Sequence, residues 1–240
     1  MEENHRSRGQ GKILLTALFL LTFIHITFLP SGVLADGRQE TSLLVFKARY
    51  MLENFMTDNN LDAFHNLIKK AKAVFLIPDF FKGGFFFGGS GGNGLLLVAD
   101  PKNGTWIGPA FFTVGGASFG LQIGGAVSET AILIMTEKGI SSFLSSNFKM
   151  GADLGVAIGP VGFGAAVATA NLSADLVSFS RSRGLYGGIS LEGAVVAVRD
   201  DLNNAFYNKT VSPTDILIKR EVRNPEATSL IEEAVKAAKK

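Results

Sequence analysis

Two glycine-spaced motifs overlap in one short stretch. Gly89-Ser90-Gly91-Gly92-Asn93-Gly94 has the G-x-G-x-x-G spacing that lets backbone N–H groups approach a dinucleotide pyrophosphate. Gly88 to Gly92 has the G-x-S-x-G spacing that lifts a nucleophilic serine, here Ser90, onto a sharp turn. Both chemistries need a helix directly after the motif. The next residues are instead Leu95-Leu96-Leu97-Val98, an apolar run of strand character. A serine nucleophile also needs a histidine base late in the chain, and the only histidine past residue 35 is His65, which precedes Ser90. The expected form is a glycine turn or bulge between two strands.

The remaining reactive side chains are sparse. There is no cysteine, which excludes disulfides, thiolate metal sites and a cysteine nucleophile. His65 has no carboxylate cluster spaced to share a metal with it. Asp200-Asp201 is a carboxylate pair, but it stands where a helix begins, and acids belong there electrostatically. No general acid and base pair is organised, so neither catalysis nor a cofactor or metal is expected. Asn103-Gly104-Thr105, Asn171-Leu172-Ser173 and Asn208-Lys209-Thr210 are glycosylation sequons.

The densest basic cluster is Lys69, Lys70 and Lys72, with Lys82 one strand later and Phe75, Phe80 and Phe81 between. One reading is a solvated helix face. The other is contact with an anionic lipid surface, where cations attract headgroups and aromatic rings insert. On that reading Lys69, Lys70, Lys72, Phe80, Phe81 and Lys82 are the candidate lipid-binding residues. Trp106 and Pro109, just after an Asn-Gly turn, are expected to be structural and not to touch a ligand.

These residues sit on a chain whose centre, Gly83 to Thr136, interleaves glycine with bulky apolar residues and few charges. Phe119, Leu121 and Ile123 alternate with small or polar neighbours at strand period. Before it, Thr41 to Met56 reads as a helix with Leu44, Ala48, Met51, Leu52 and Phe55 on one face. Asp58-Asn59-Asn60 breaks that helix and caps the next, which carries Leu61, Phe64, Ile68 and Ala71. Ala73 to Ile77 reads as a strand stopped by Pro78. Asp100 to Gly104 is a hairpin turn. Further on, Glu137 to Ser145 is a short helix, and Met150 to Thr169 returns to glycine-rich strand. Leu176–Ser182 and Leu185–Val198 are strands, and Asp200–Tyr207 is helical. Ser212-Pro213-Thr214-Asp215 and Asn224-Pro225-Glu226 each open a helical segment.

The 240 residues are 47% hydrophobic with 20 phenylalanines, enough for one real core, and the net charge of +2 demands no nucleic-acid partner. Residues 1–35 run from basic (Arg6, Arg8, Lys12) through an apolar stretch, Ile13 to Leu29, to Val33-Leu34-Ala35. That order predicts a signal peptide cleaved after Ala35, with an uncleaved membrane anchor as the alternative. N-terminal sequencing of the exported protein should then read Asp36 first, whereas a chain that still begins at Met1 or Glu2 would mark an anchor. The remainder, 36–240, is expected to be a single domain, exported to a periplasmic or extracellular space and peripherally membrane-associated.

Six ordered segments resemble the SYLF domain family. They are Trp106-x-x-Pro109, Gly120-x-Gln122-x-Gly124-Gly125, and Gly151-x-Asp153 running to Gly159-Pro160. Ser180 to Gly193, Asn203-x-x-Phe206-Tyr207 and Ser212 to Leu217 complete the row. The resemblance covers roughly Leu43 to Leu230. Ile107 and Asn208 depart from it, standing where the family often has Ser and Gly. It implies a lipid-binding module: animal and fungal SYLF domains bind phosphoinositides and act in trafficking with the actin cytoskeleton, and fungal members also bind actin. An N-terminal amphipathic helix contributes to membrane contact in the family, and by position it corresponds to the Thr41–Lys72 region. Bacterial members share this chain's layout, a bare domain behind an export signal. The expected fold class is α+β: a glycine-rich antiparallel β sheet or barrel-like core flanked by N-terminal and C-terminal helices. The expected partner is anionic phospholipid or a membrane surface, with a protein partner, as in actin binding, as the alternative.

Overall fold

A computed structural model describes residues 37–84, 87–119, 124–160, 174–182, 185–187 and 191–239. The expected signal segment, Gly120 to Ile123 of the Gly120–Gly125 motif, the expected strand beyond Pro160, the Asn171 sequon and parts of Ser180 to Gly193 lie outside them. Helix α1 (Gly37–Thr57) is followed by a single tight turn and α2 (Asp62–Ile68). Four long strands come next: β1 (Ala73–Gly84), β2 (Phe87–Asp100), β3 (Thr105–Phe119) and β4 (Gly124–Ile134). Then come α3 (Glu137–Phe143), β5 (Asn147–Lys149), β6 (Val156–Ile158), β7 (Leu176–Ser182), β8 (Leu185–Gly187) and β9 (Val195–Val198). Helix α4 (Asp200–Tyr207), a wide helical turn (Asp215–Lys219) and α5 (Thr228–Lys239) close the chain. The fold is α+β, as the sequence predicts.

The strands form one curled sheet in the order β5-β9-β3-β2-β1-β4-β7-β6, with β8 paired to β7. Among the described strands every pairing is antiparallel except β6 on β7, which is parallel. The run from Leu185 to Val198 is not one strand. It breaks into β8 and β9, and these join different parts of the sheet.

Both faces of the sheet are buried. On one, Val74, Leu76, Leu95, Leu97 and Phe111 meet Met51, Leu52 and Phe55 of α1 and Leu230 of α5. On the other, Phe75, Ile77, Leu96 and Phe112 meet Phe143 of α3 and Leu217 of the wide turn. The phenylalanines pack edge-on: Phe75, Phe112, Phe143 and Phe148 form one chain with centroids 4.8–5.9 Å apart. Phe55, Phe64 and Phe179 form another, at 5.4 Å. Such pairs add about 0.5–1.5 kcal/mol each beyond their burial.

Pro78 does not stop β1. It stands in a bulge, where Pro78 and Asp79 together oppose Glu129 between the pairs Ile77↔Thr130 and Phe80↔Ser128. A proline lacks an N–H, and a bulge is where a strand interior tolerates that loss. The extra residue reverses the alternation of side chains. Phe80 therefore joins Phe75 and Ile77 in the inner core, and Phe81 turns out toward α1.

The glycine run is not a turn between strands either. Gly88 to Gly94 lie inside β2. A side chain at Gly92 would strike the Asp79 carbonyl of the bulge, and one at Gly94 would come within 2.6 Å of the Phe75 ring. With no helix after them, these glycines form neither a pyrophosphate loop nor a nucleophile elbow.

Asn203 of α4 is fully buried and acts as a short extra rung on β3. Its Oδ1 accepts from the Phe111 N–H at 2.9 Å, and its Nδ2 donates to the Phe111 carbonyl at 3.2 Å. Asn203→Ala leaves the Phe111 N–H buried and unpaired, which costs about 1–3 kcal/mol. Urea denaturation should show that loss, and a change within about 0.5 kcal/mol would make the contact as dispensable as a surface one.

Candidate functional site

Helix α1 is apolar on two sides. Its inner face buries Leu44, Val45, Ala48, Met51, Leu52, Phe55 and Met56. Leu43, Phe46 and Tyr50, spaced three and four apart, lie on the opposite side and share one stripe. They are 53%, 63% and 59% exposed. Phe81, turned out by the bulge, is 56% exposed and shares a shallow cleft with Leu43. Four large apolar side chains thus stand in solvent on one helix and one strand.

The helix cations beside this stripe face acids. Lys47 Nζ lies 2.7 Å from Asp79 Oδ2, so the bulge that turns Phe81 outward also places the acid that neutralises Lys47. Arg49 faces Glu53 at 3.6 Å. Beneath the cleft, Asn93 Nδ2 donates to Glu40 at 2.7 Å, and Arg199 donates to Asn93 Oδ1 at 3.0 Å. Arg199 also pairs with Asp201 at 2.7 Å. The hydrogen bond from Arg199 holds the Asp201 carboxyl below the usual aspartate range, and Asp201 raises the Arg199 guanidinium in turn. Asp201 is therefore half of an ion pair, not of an acid and base pair with Asp200.

The expected lipid-binding residues do not form one patch. Lys69 and Lys70 are exposed beyond α2, and among the described residues neither has an ion-pair partner. Lys72 is paired with Glu137 at 2.7 Å. Lys82 is exposed near the far end of β1, about 30 Å along the strand from Lys72 at the usual rise per residue. Phe80 is 1% exposed and cannot insert into anything without unfolding the inner core. Phe81 alone of the two rings faces outward. The grouping fails because Pro78 continues the strand, which carries Lys82 away, and the bulge inverts the faces of the two rings.

The stripe that sequence reasoning missed had a signal. Leu43, Phe46 and Tyr50 repeat at helical spacing on the side away from Leu44, Ala48 and Met51, where a solvated helix would carry polar residues.

The other reactive side chains serve structure. His65 Nε2 is 2.8 Å from the Phe55 carbonyl. Tyr207, whose hydroxyl burial pushes up, donates to the Pro109 carbonyl at 2.8 Å. Trp106 is 4% exposed in the helix-side core, and it also lines a cavity beside α5. Asn103 and Asn208 of the sequons are exposed. Among the described residues no three His, Asp or Glu side chains are grouped to hold a metal ion, and no helix is long and apolar enough to cross a membrane.

Comparison with known proteins places this architecture among relatives. The family described as "Ysc84: Las17-binding protein actin regulator" matches residues 115–238, from the last third of β3 through α5. LAS seventeen-binding protein 3 of Saccharomyces cerevisiae is 31% identical over 190 residues, covering 75% of this chain and 41% of that protein. Protein YSC84 of the same yeast is 30% identical over 195 residues, covering 77% of this chain and 41% of that protein. SH3 domain-containing YSC84-like protein 1 of Homo sapiens is 31% identical over 169 residues, covering 70% of this chain and 49% of that protein. The chain therefore spans somewhat less than half the length of these relatives.

Proposed function

This chain belongs to the Ysc84 family, the SYLF domains, and from that premise we propose that it is a non-enzymatic protein-docking module. Its contact surface is the outer face of α1 together with Phe81. The observation that carries the reading is the stripe of Leu43, Phe46, Tyr50 and Phe81, exposed on α1 and β1, where the helix cations Lys47 and Arg49 already face acids. Exposed aromatic anchors beside cations that already face acids suit a protein partner. An anionic membrane would draw instead on unpaired cations beside the apolar stripe. The family description names Las17 binding and actin regulation, so the partner class is a protein of the actin-assembly kind. If residues 1–35 direct export, the partner is a protein of the receiving compartment, met by the same apolar anchors.

A lipid reading keeps observations of its own, the exposed Lys69 and Lys70, and the exposed Lys82 next to Phe81. The two readings separate in co-sedimentation of the intact protein. One set of tubes holds filamentous actin. The other holds phosphatidylcholine vesicles with and without phosphatidylserine or a phosphoinositide. Pelleting with actin that Phe46→Asp removes is the expected result. Pelleting only with anionic vesicles, removed by Lys69→Glu with Lys70→Glu, would replace the protein reading with the lipid one.

A further inference from the structure

Away from α1, the turn between β2 and β3 leans against the segment that joins the wide helical turn to α5. Between them lies a cavity of about 430 Å³, within the range of small-molecule sites. Its wall is apolar along Trp106, Ile107, Val222 and Ile231. Two arginines, Arg220 and Arg223, line it as well.

Arg220 is pre-positioned. It takes a left-handed backbone conformation at φ 60°, and its Nη1 donates to Asp100 Oδ2 at 2.8 Å. The Asp100 side chain is 1% exposed and also accepts from Asn103 Nδ2 at 2.9 Å and the Lys102 N–H at 3.1 Å. That carboxylate is fully engaged, while Arg220 is 40% exposed and uses one of its five N–H donors on it. Arg223 is exposed, and among the described residues it has no ion-pair partner. Glu232 also lines the cavity and is likewise exposed.

We propose that this cavity binds a small apolar monoanion, a carboxylate carried on a short hydrocarbon chain or ring. The planar fork of an arginine matches a carboxylate, and the apolar wall takes the body. The charge count sets the valence. Asp100 and Glu232 offset the charges of Arg220 and Arg223, so the lining is neutral as a whole. One carboxylate can be met by the free donors of Arg220 and by Arg223, while Glu232 disfavours a second negative charge such as that of a phosphate monoester. This site goes beyond the docking face and does not depend on it.

Trp106 is the only tryptophan in the chain, so its emission reports from the cavity wall. The intact protein is titrated with octanoate, with 1-octanol and with octyl phosphate. Octanoate should give a saturable change in Trp106 emission, and both other probes should bind at least about tenfold more weakly. Arg223→Ala should weaken octanoate binding at least about fivefold with no change in melting temperature. Ile231→Trp, which fills the cavity, should abolish it, as read by calorimetry. Phe46→Asp should leave it unaltered. No saturable response to octanoate, equal binding of octanol, or undiminished binding by Arg223→Ala would each overturn the proposal.

Discussion

Trp106→Ala is expected to destabilise the protein by about 3 kcal/mol, at the lower end of the usual range for losing a buried indole. Trp106 sits on the first rungs of the β2–β3 hairpin, paired with Ala99, and is 4% exposed in the helix-side core. Its surroundings cannot collapse onto the void. Two residues on, Gly108 has φ 132°, and an added Cβ there would lie 2.7 Å from the Leu96 carbonyl. The backbone beside the ring is therefore already at closest approach. The void would open into the adjoining cavity and admit water, and this keeps the loss from the upper end of the range. For a chain of this size the melting temperature should fall by roughly 6–12 °C. Trp106→Phe, which keeps an aromatic plug, should lose much less. A loss below about 1 kcal/mol for Trp106→Ala would show that the indole is not part of the core.

Much of the fold is legible in the sequence where one physical signal acts alone. Helix α4 and strand β7 have the ends that the sequence predicts, Asp200–Tyr207 and Leu176–Ser182. Acids open the first, and a short apolar run makes the second. The cap at Ser212 is also legible. Its hydroxyl donates to Asp215 Oδ2 at 2.6 Å, and its N–H does the same at 2.9 Å. The hydrogen bond from Lys219, together with these two, holds the Asp215 carboxyl far below the usual aspartate range.

Legibility ends where two signals compete. Pro78 carries a stop signal, but the apolar run on both sides of it wins by forming a bulge. The glycines of β2 carry a turn signal, yet they are mid-strand because the bulge and the Phe75 ring need the space. The docking face is hidden for a related reason. Leu43 and Leu44 are adjacent and equally apolar, and only the position of α4, α5 and the sheet decides which of them is covered. Arg220 and Asp100 are far apart in sequence and meet only through the fold, so no local pattern marks the cavity between them.

The second large effect concerns the docking face. Phe46 is 63% exposed and Tyr50 59%, so replacing either with Asp removes no core contact and should change stability by no more than about 0.5 kcal/mol. If the ring of Phe46 is an anchor, its loss costs at least about 2 kcal/mol of binding, roughly 30-fold in affinity. Leu43→Asp and Phe81→Asp should act in the same direction, because both residues line the cleft beside it. Reversing Lys69 and Lys70 to Glu should leave protein binding within about twofold, since exposed cations far from the anchors change encounter rates more than affinity.

The most direct measurement is the affinity of the intact protein for filamentous actin by co-sedimentation, in wild type, Phe46→Asp and the Lys69→Glu, Lys70→Glu double variant. All three should first be shown to melt at the same temperature. The expected result is a loss of about 30-fold or more for Phe46→Asp, with the double variant unchanged. Equal binding by Phe46→Asp and wild type, or a loss confined to the lysine variant, would contradict the placement of the docking surface on α1.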